Sequence, residues 1–86
     1  MIVNKKFLHK LVTVDWYDIV ASSGWVDKDR IEDEVNKVED IMTIGWLSAV
    51  HKDSIIISST LGKNGPDQYN QHIAIPIGCI RSIKRY

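Results

Sequence analysis

Alternation of apolar and polar residues predicts five short β-strands in this chain. The first reads LVTVDWY from Leu11 to Tyr17, and its alternate residues Val12, Val14 and Trp16 are expected to face inward. The other four segments read IMTIGWLSAVHK, SIIISSTL, NQHIAIPI and CIRSIKRY and follow one another between residues 41 and 86. Five strands so closely spaced predict a small closed barrel, in which the last strand lies next to the first.

The apolar period changes in the segment between the first two strands. Ile31, Val35 and Val38 recur at i, i+4 and i+7, which is one stripe of an amphipathic helix over residues 27–38. Asp29 is placed to cap this helix, and the acids near its start complement the helix dipole. The sequence therefore predicts one short helix inserted between strands 1 and 2, whose stripe covers an open end or side of the barrel.

Composition supports a mainly β fold of a single domain, residues 1–86. The chain has 13 Ile and 8 Val but only 4 Leu, and β-branched residues suit a pleated surface. Cys79 is the only cysteine, so we expect no disulfide and no multi-cysteine metal site, and we interpret this residue as a small buried hydrophobe. The apolar stretch Ile41–Val50 is shorter than the ~20 residues of a membrane-spanning helix, so a cytoplasmic protein is expected.

Charge is balanced overall but unevenly distributed. Residues 1–14 carry a net +3, residues 15–40 a net −6, and residues 41–86 a net +3. Pairing of the first and last strands would gather six bases into one patch able to meet phosphates: Lys5, Lys6, Lys10, Arg81, Lys84 and Arg85. The alternative is an ordinary solvated edge whose charges discourage unwanted strand pairing.

No pattern in the chain indicates catalysis, a bound metal or a cofactor. His51 and Ser54 are separated by a turn, and no acid is placed to orient a pair between Cys79 and His72. Trp25, in the turn before the predicted helix, is interpreted either as an anchor that contacts a partner or as a lid that packs on the barrel.

Three segments, VTVDWYDIVASSGW, IGWLSAVHKDSIIISST and IAIPIGCIRSI, resemble small proteins encoded by tailed bacteriophages. The shared motifs are W-x-D at Trp16–Asp18, G-W-L at Gly45–Leu47 and I-P-x-x-x-I at Ile75–Ile80. The order of elements, with a long insert after strand 1 and one tight turn before strand 5, is that of SH3-like and Sm-like barrels. The resemblance implies a fold and a phage origin, and no activity.

Two functions are predicted. The first is a non-enzymatic phage accessory, assembly or protein-interaction module that self-associates as a homo-oligomer, located in the host cytoplasm or in the virion. The acidic insert and the basic edge would then be complementary surfaces between subunits. The alternative is an Sm-like ring that binds RNA through the basic patch, with Tyr69 or Tyr86 stacking on bases. Tyr69 and Trp25 are the predicted partner-binding residues.

Overall fold

A computed structural model describes residues 2–18, 24–35 and 39–86. Its elements are β1 (Leu11–Asp18), α1 (Ile31–Val35), β2 (Glu39–Val50), β3 (Ser54–Gly62), β4 (Gln68–Pro76) and β5 (Ile80–Arg85), with 3₁₀ turns at Lys5–Phe7 and Ile77–Cys79. The strands form one antiparallel sheet in the order β4-β3-β2-β1-β5. The mainly β fold, its five strands and the pairing of the first strand with the last are confirmed.

The core lies on one face of this sheet. Val12 and Val14 of β1 are fully buried, and Trp16 packs against the same cluster, as the alternation of β1 predicts. Burying a side chain of this kind contributes about 1.5–3 kcal/mol. The other strands complete the core with Leu47, Ile55, Ile57, Ile75 and Ile80.

Strand β2 is long because it pairs with two neighbouring strands, one after the other. Residues 39–46 pair with β1, whereas residues 46–50 pair with β3. The β2–β3 pairing has a register shift at Ser48. The chain passes very close to β3 at Gly45, where an added Cβ would lie 2.6 Å from Ile57 Cγ2 and 2.7 Å from the Ser58 carbonyl oxygen. A residue without a side chain is therefore required where β2 passes from one partner to the other.

The sheet is strongly curled. A link of only three residues, Ile77–Cys79, joins β4 and β5, the two outermost strands, and Ile75 and Ile80 on either side of it belong to the same core cluster. Within the described residues, however, β4 and β5 do not pair, so the sheet is open where the sequence predicts a closed barrel. Pro76 ends β4 and has no N–H group to donate to a further strand.

The inserted helix is shorter than predicted. It begins at Ile31, because residues 27–30 form a turn in which the Arg30 amide donates to the Asp27 carbonyl oxygen at 2.8 Å. Ile31 is half-exposed and is not part of the core cluster. The two other stripe positions, Val35 and Val38, lie outside the residues whose side chains are described.

Candidate functional site

The face of the sheet opposite the core carries an unusual number of apolar side chains. Because Val12 and Val14 point to the core, Leu11 and Thr13 point away from it. Leu11 lies opposite Trp46, and Thr13 lies opposite Ile44. Residues directly opposite each other share a face, with Cβ atoms about 5 Å apart. The pairing register therefore places Trp46 and Ile44 on this outer face too.

These side chains form an apolar surface that runs from the middle of the β1–β2 pair to the end at which β1 begins. Met42 is 62% exposed, Ile44 49% and Tyr86 72%, while Leu11 and Trp46 are half-buried. Tyr86 joins the set because its amide donates to the Leu11 carbonyl oxygen at 2.9 Å, which extends the β5 register by one residue. We call Leu11, Met42, Ile44, Trp46 and Tyr86 the outer patch.

Five of the six predicted bases lie at the same end of the sheet as the outer patch. Lys10 directly precedes β1, and Lys84 and Arg85 lie opposite Thr13 and Val12. Lys5 and Lys6 are in the 3₁₀ turn just before, and all five side chains are exposed. Lys84 shares the outer face with Ile44, and Asp15, opposite Met42, shares it too, so the outer patch is bordered by a base and an acid.

Arg81 does not join the other bases. It lies four residues before Arg85 on β5, which is roughly 13 Å along a strand. Its guanidinium contacts Asp40 Oδ1 at 3.3 Å and lies 5.3 Å from the centre of the Tyr17 ring. Both charged side chains are more than half exposed, so this ion pair contributes little to stability, but it occupies Arg81 within its own chain.

A shallow cavity of about 320 Å³ lies beside this ion pair. In it, the Ser82 hydroxyl donates to Asp15 Oδ2 at 3.2 Å. Its lining is Asp15, Asp40, Ile41, Met42, Arg81 and Ser82. Two carboxylates and one guanidinium line this cavity.

The two predicted partner-binding residues are in different situations. Trp25 is fully exposed and touches no part of the sheet, which excludes the lid interpretation for the described residues. Tyr69 on β4 stacks on His9, with ring centroids 5.9 Å apart and an 11° angle between planes, and its hydroxyl lies 2.8 Å from His9 Nδ1. Desolvation, and then the nearby Asp67 carboxylate, raises the pKa of Tyr69. One face of the Tyr69 ring is therefore already occupied.

A chain of hydrogen bonds that the sequence analysis missed crosses β2, β3 and β4. Ser58 Oγ lies 2.7 Å from His72 Nδ1 and 2.8 Å from Ser48 Oγ, and the Ser48 hydroxyl donates to the Ile56 carbonyl oxygen at 3.1 Å. A serine beside a histidine is the arrangement of an activated nucleophile. Ser58, however, is completely buried, so no substrate reaches its oxygen. These hydrogen bonds link β2, β3 and β4 and provide no catalytic pair.

Ser58→Ala is expected to lower the free energy of unfolding by about 1–3 kcal/mol, because it removes the central, fully buried member of a hydrogen-bond chain. Urea denaturation measures this loss. The matched control is Ser59→Ala, since the Ser59 hydroxyl makes one exposed bond to Gln71 Oε1 at 2.9 Å. Equal losses in the two variants would contradict a structural role for the buried chain.

The described part of the chain contains no group of three or more His, Cys, Asp or Glu side chains placed to hold a metal ion. Among the same residues, no helix is both long and apolar enough to cross a membrane. Comparison with protein-family models, with curated proteins and with solved structures finds no match to this chain. The functional conclusion therefore depends on the geometry of the surfaces alone.

Proposed function

We propose that this chain is a non-enzymatic protein-interaction module that self-associates. The observation that carries the proposal is how the apolar side chains are divided between core and surface. Among the described residues, eight hydrophobic residues form the buried core, whereas nine large hydrophobic residues are exposed. Single exposed hydrophobic residues are normal, but a continuous apolar face such as the outer patch marks an interaction site.

The shape of the molecule supports the same proposal. The radius of gyration is 16.2 Å and the longest dimension is 57 Å. A compact domain of this length has a radius of gyration of about 12 Å. The chain thus buries less of its own surface than its size allows, and association with a partner would cover part of the apolar surface that it leaves exposed.

The topology supports assigning the sheet to the SH3-like and Sm-like type. The strand order β4-β3-β2-β1-β5, a second strand shared between two neighbours, and a 3₁₀ turn before the last strand all agree with that type. The open edges of β4 and β5 offer a second route to self-association, by strand pairing between subunits. Phage origin, and location in host cytoplasm or virion, stay predictions from the resemblance.

Nucleic-acid binding is the alternative, and one observation favours it. Lys5, Lys6, Lys10, Lys84 and Arg85 lie at one end of the sheet, and the sequence has no acid before Asp15 or after Asp67. Nucleic-acid binding is less well supported than self-association for two reasons. Residues 15–40 carry a net −6, which repels a polyanion, and Arg81 is already paired with Asp40. Nucleic-acid binding is retained as an outcome of the experiment that follows.

Light scattering on the purified protein, with the 260/280 absorbance ratio of the same peak, tests the proposal. We expect a mass that is a multiple of the 9.8 kDa chain and an absorbance ratio of pure protein. A monomer at concentrations up to about 100 µM would contradict self-association, since any remaining affinity would then be weaker than about 5 kcal/mol. An oligomer that carries nucleic acid would favour the alternative function.

A further inference from the structure

We infer that the cavity beside the Arg81–Asp40 ion pair binds a small zwitterion of the α-amino-acid class. Its volume of about 320 Å³ lies within the range of small-molecule sites, roughly 300–1,000 Å³. It lies on the outer face of the sheet, where β2, β1 and β5 run side by side. The inference goes beyond the proposed function, because one chain supplies every residue of the site and no second copy is needed.

A β-bulge in β5 builds one wall of the cavity. In the pairing with β1, Ser82 lies opposite Asp15 and Ile80 lies opposite Trp16, so Arg81 is an extra residue on β5. Ile80 is buried in the core, whereas the side chains of Arg81 and Ser82 both lie on the outer side, although neighbours in a regular strand point to opposite faces. Bulges often re-aim side chains next to functional sites. This one brings a guanidinium and a hydroxyl together over the β1–β2 pair.

The guanidinium of Arg81 is held in place but has donors to spare. It lies 5.3 Å from the centre of the Tyr17 ring, in a cation–π contact. One of its N–H groups donates to Asp40 Oδ1 at 3.3 Å, which is longer than a strong charge-assisted hydrogen bond. A guanidinium has five N–H donors in a planar fork, and this is the only hydrogen bond of the Arg81 side chain among the described residues. Arg81 can therefore bind a carboxylate through two parallel hydrogen bonds.

The two carboxylates of the cavity have oxygen atoms that are free to accept. Asp15 Oδ2 accepts from the Ser82 hydroxyl at 3.2 Å, and Asp15 Oδ1 has no hydrogen-bond partner within the described part of the chain. The same holds for Asp40 Oδ2, since Asp40 contacts Arg81 through Oδ1. Asp40 lies opposite Tyr17, two residues from Asp15 on β1, which is roughly 7 Å along the strand. An ammonium group placed between the two carboxylates can donate to both.

A ligand that carries both signs of charge satisfies all of these groups. An anion alone would meet two carboxylates against one guanidinium, and a cation alone would be repelled by Arg81 and leave its donors unused. An α-amino acid has a carboxylate and an ammonium on one carbon, so the carboxylate binds the guanidinium fork and the ammonium binds the carboxylate oxygens. Ile41 and Met42 supply the apolar part of the lining, which favours an apolar side chain on the ligand.

Titration of the full chain with L-leucine, followed by heteronuclear NMR, tests the inference, with leucinamide and N-acetyl-leucine as matched probes. Leucinamide lacks the carboxylate and N-acetyl-leucine lacks the ammonium, whereas both keep the side chain. We expect leucine to shift the amide signals of the residues that line the cavity. It should bind about tenfold or more tightly than either probe, because each probe loses charge-assisted hydrogen bonds.

Two variants separate recognition of the two charged groups. Arg81→Gln should abolish the preference for leucine over leucinamide but keep the preference over N-acetyl-leucine, and Asp15→Asn should do the reverse. Since each variant changes one ratio of affinities and spares the other, a general loss of structure does not imitate the result. Lys84→Gln is the control, because this exposed base shares the strand and the outer face but does not line the cavity, and both ratios should stay unchanged.

Three results would overturn the inference. They are the absence of leucine-induced shifts at about 10 mM ligand, equal binding of the three probes, and shifts confined to residues outside the cavity. None of them bears on self-association, which is measured without ligand.

Discussion

Gly45→Ala is expected to destabilise the protein by about 3 kcal/mol, at the upper end of the cost of overpacking a core. The new methyl group would lie 2.6 Å from Ile57 Cγ2 and 2.7 Å from the Ser58 carbonyl oxygen. Neither neighbour is free to retreat, because Ile57 is 1% exposed and the Ser58 oxygen belongs to the backbone of a paired strand. The effect should be read from the urea midpoint of unfolding with the slope held constant.

The matched control for this substitution is Gly78→Ala. An added Cβ at Gly78 meets nothing within 4 Å, and its backbone does not adopt a left-handed conformation. The free energy of unfolding is expected to change by less than about 1 kcal/mol, in either direction, because alanine also restricts the unfolded chain. Similar losses at both glycines would contradict the close approach of β2 to β3.

Leu47→Ala is the second substitution with a large expected effect, a loss of about 2–5 kcal/mol. The side chain of Leu47 is fully buried in the core cluster. Its backbone also holds the N-terminal segment, since its amide donates to the Lys10 carbonyl oxygen at 3.0 Å and its carbonyl oxygen accepts from the His9 amide at 2.7 Å. A cavity at this point weakens the attachment of the basic end as well as the core. Thermal and urea unfolding measure the loss.

Leu61→Ala makes the same chemical change at a half-buried site. Leu61 lies near the end of β3, where the strand pairs with β4 but no longer with β2. The substitution should lower the free energy of unfolding by about 1 kcal/mol, because Leu61 removes a smaller apolar area from water. Total stability of so small a domain is only several kcal/mol. The Leu47 variant should therefore be largely unfolded near 37 °C while the Leu61 variant remains folded, and the reverse order would contradict the assigned core.

The inner face could be predicted from the sequence because alternation reports burial directly. Val12 and Val14 follow a period of two with polar neighbours between them, and both are fully buried. The turn at Ile77–Cys79 and the pairing of β1 with β5 also agree with the order of strands. The alternation and the turn are local patterns, whereas the pairing of β1 with β5 follows from the strand order of a small barrel.

The sequence does not predict the outer patch, because strand β2 has apolar residues on both of its faces. Met42, Ile44 and Trp46 face outward, while Leu47 faces inward, so alternation gives no side to this strand. Gly45 between them was the available signal, since a glycine inside a strand often marks a close backbone approach.

Side-chain contacts between segments far apart in the sequence could not be predicted from sequence patterns. The sequence groups Arg81 with the other bases, but its ion pair with Asp40 joins residues 41 positions apart. The pairing of Ser58 with His72 needs the register of the β3–β4 hairpin, and the open sheet depends on how far the strands curl. The period of alternation determines on which face of a strand a side chain lies, whereas the register and the curvature of the strands depend on the whole sheet.

Sedimentation equilibrium of the wild-type chain over a concentration series, at low and at high salt, tests the central claim most directly. We predict reversible self-association into a defined oligomer free of nucleic acid, with a dissociation constant that rises with salt if the acidic insert and the basic end of the sheet meet between subunits. Association that does not respond to salt would point instead to pairing of the open β4 and β5 edges. A monomer at every concentration would contradict the claim that this chain is a self-associating interaction module.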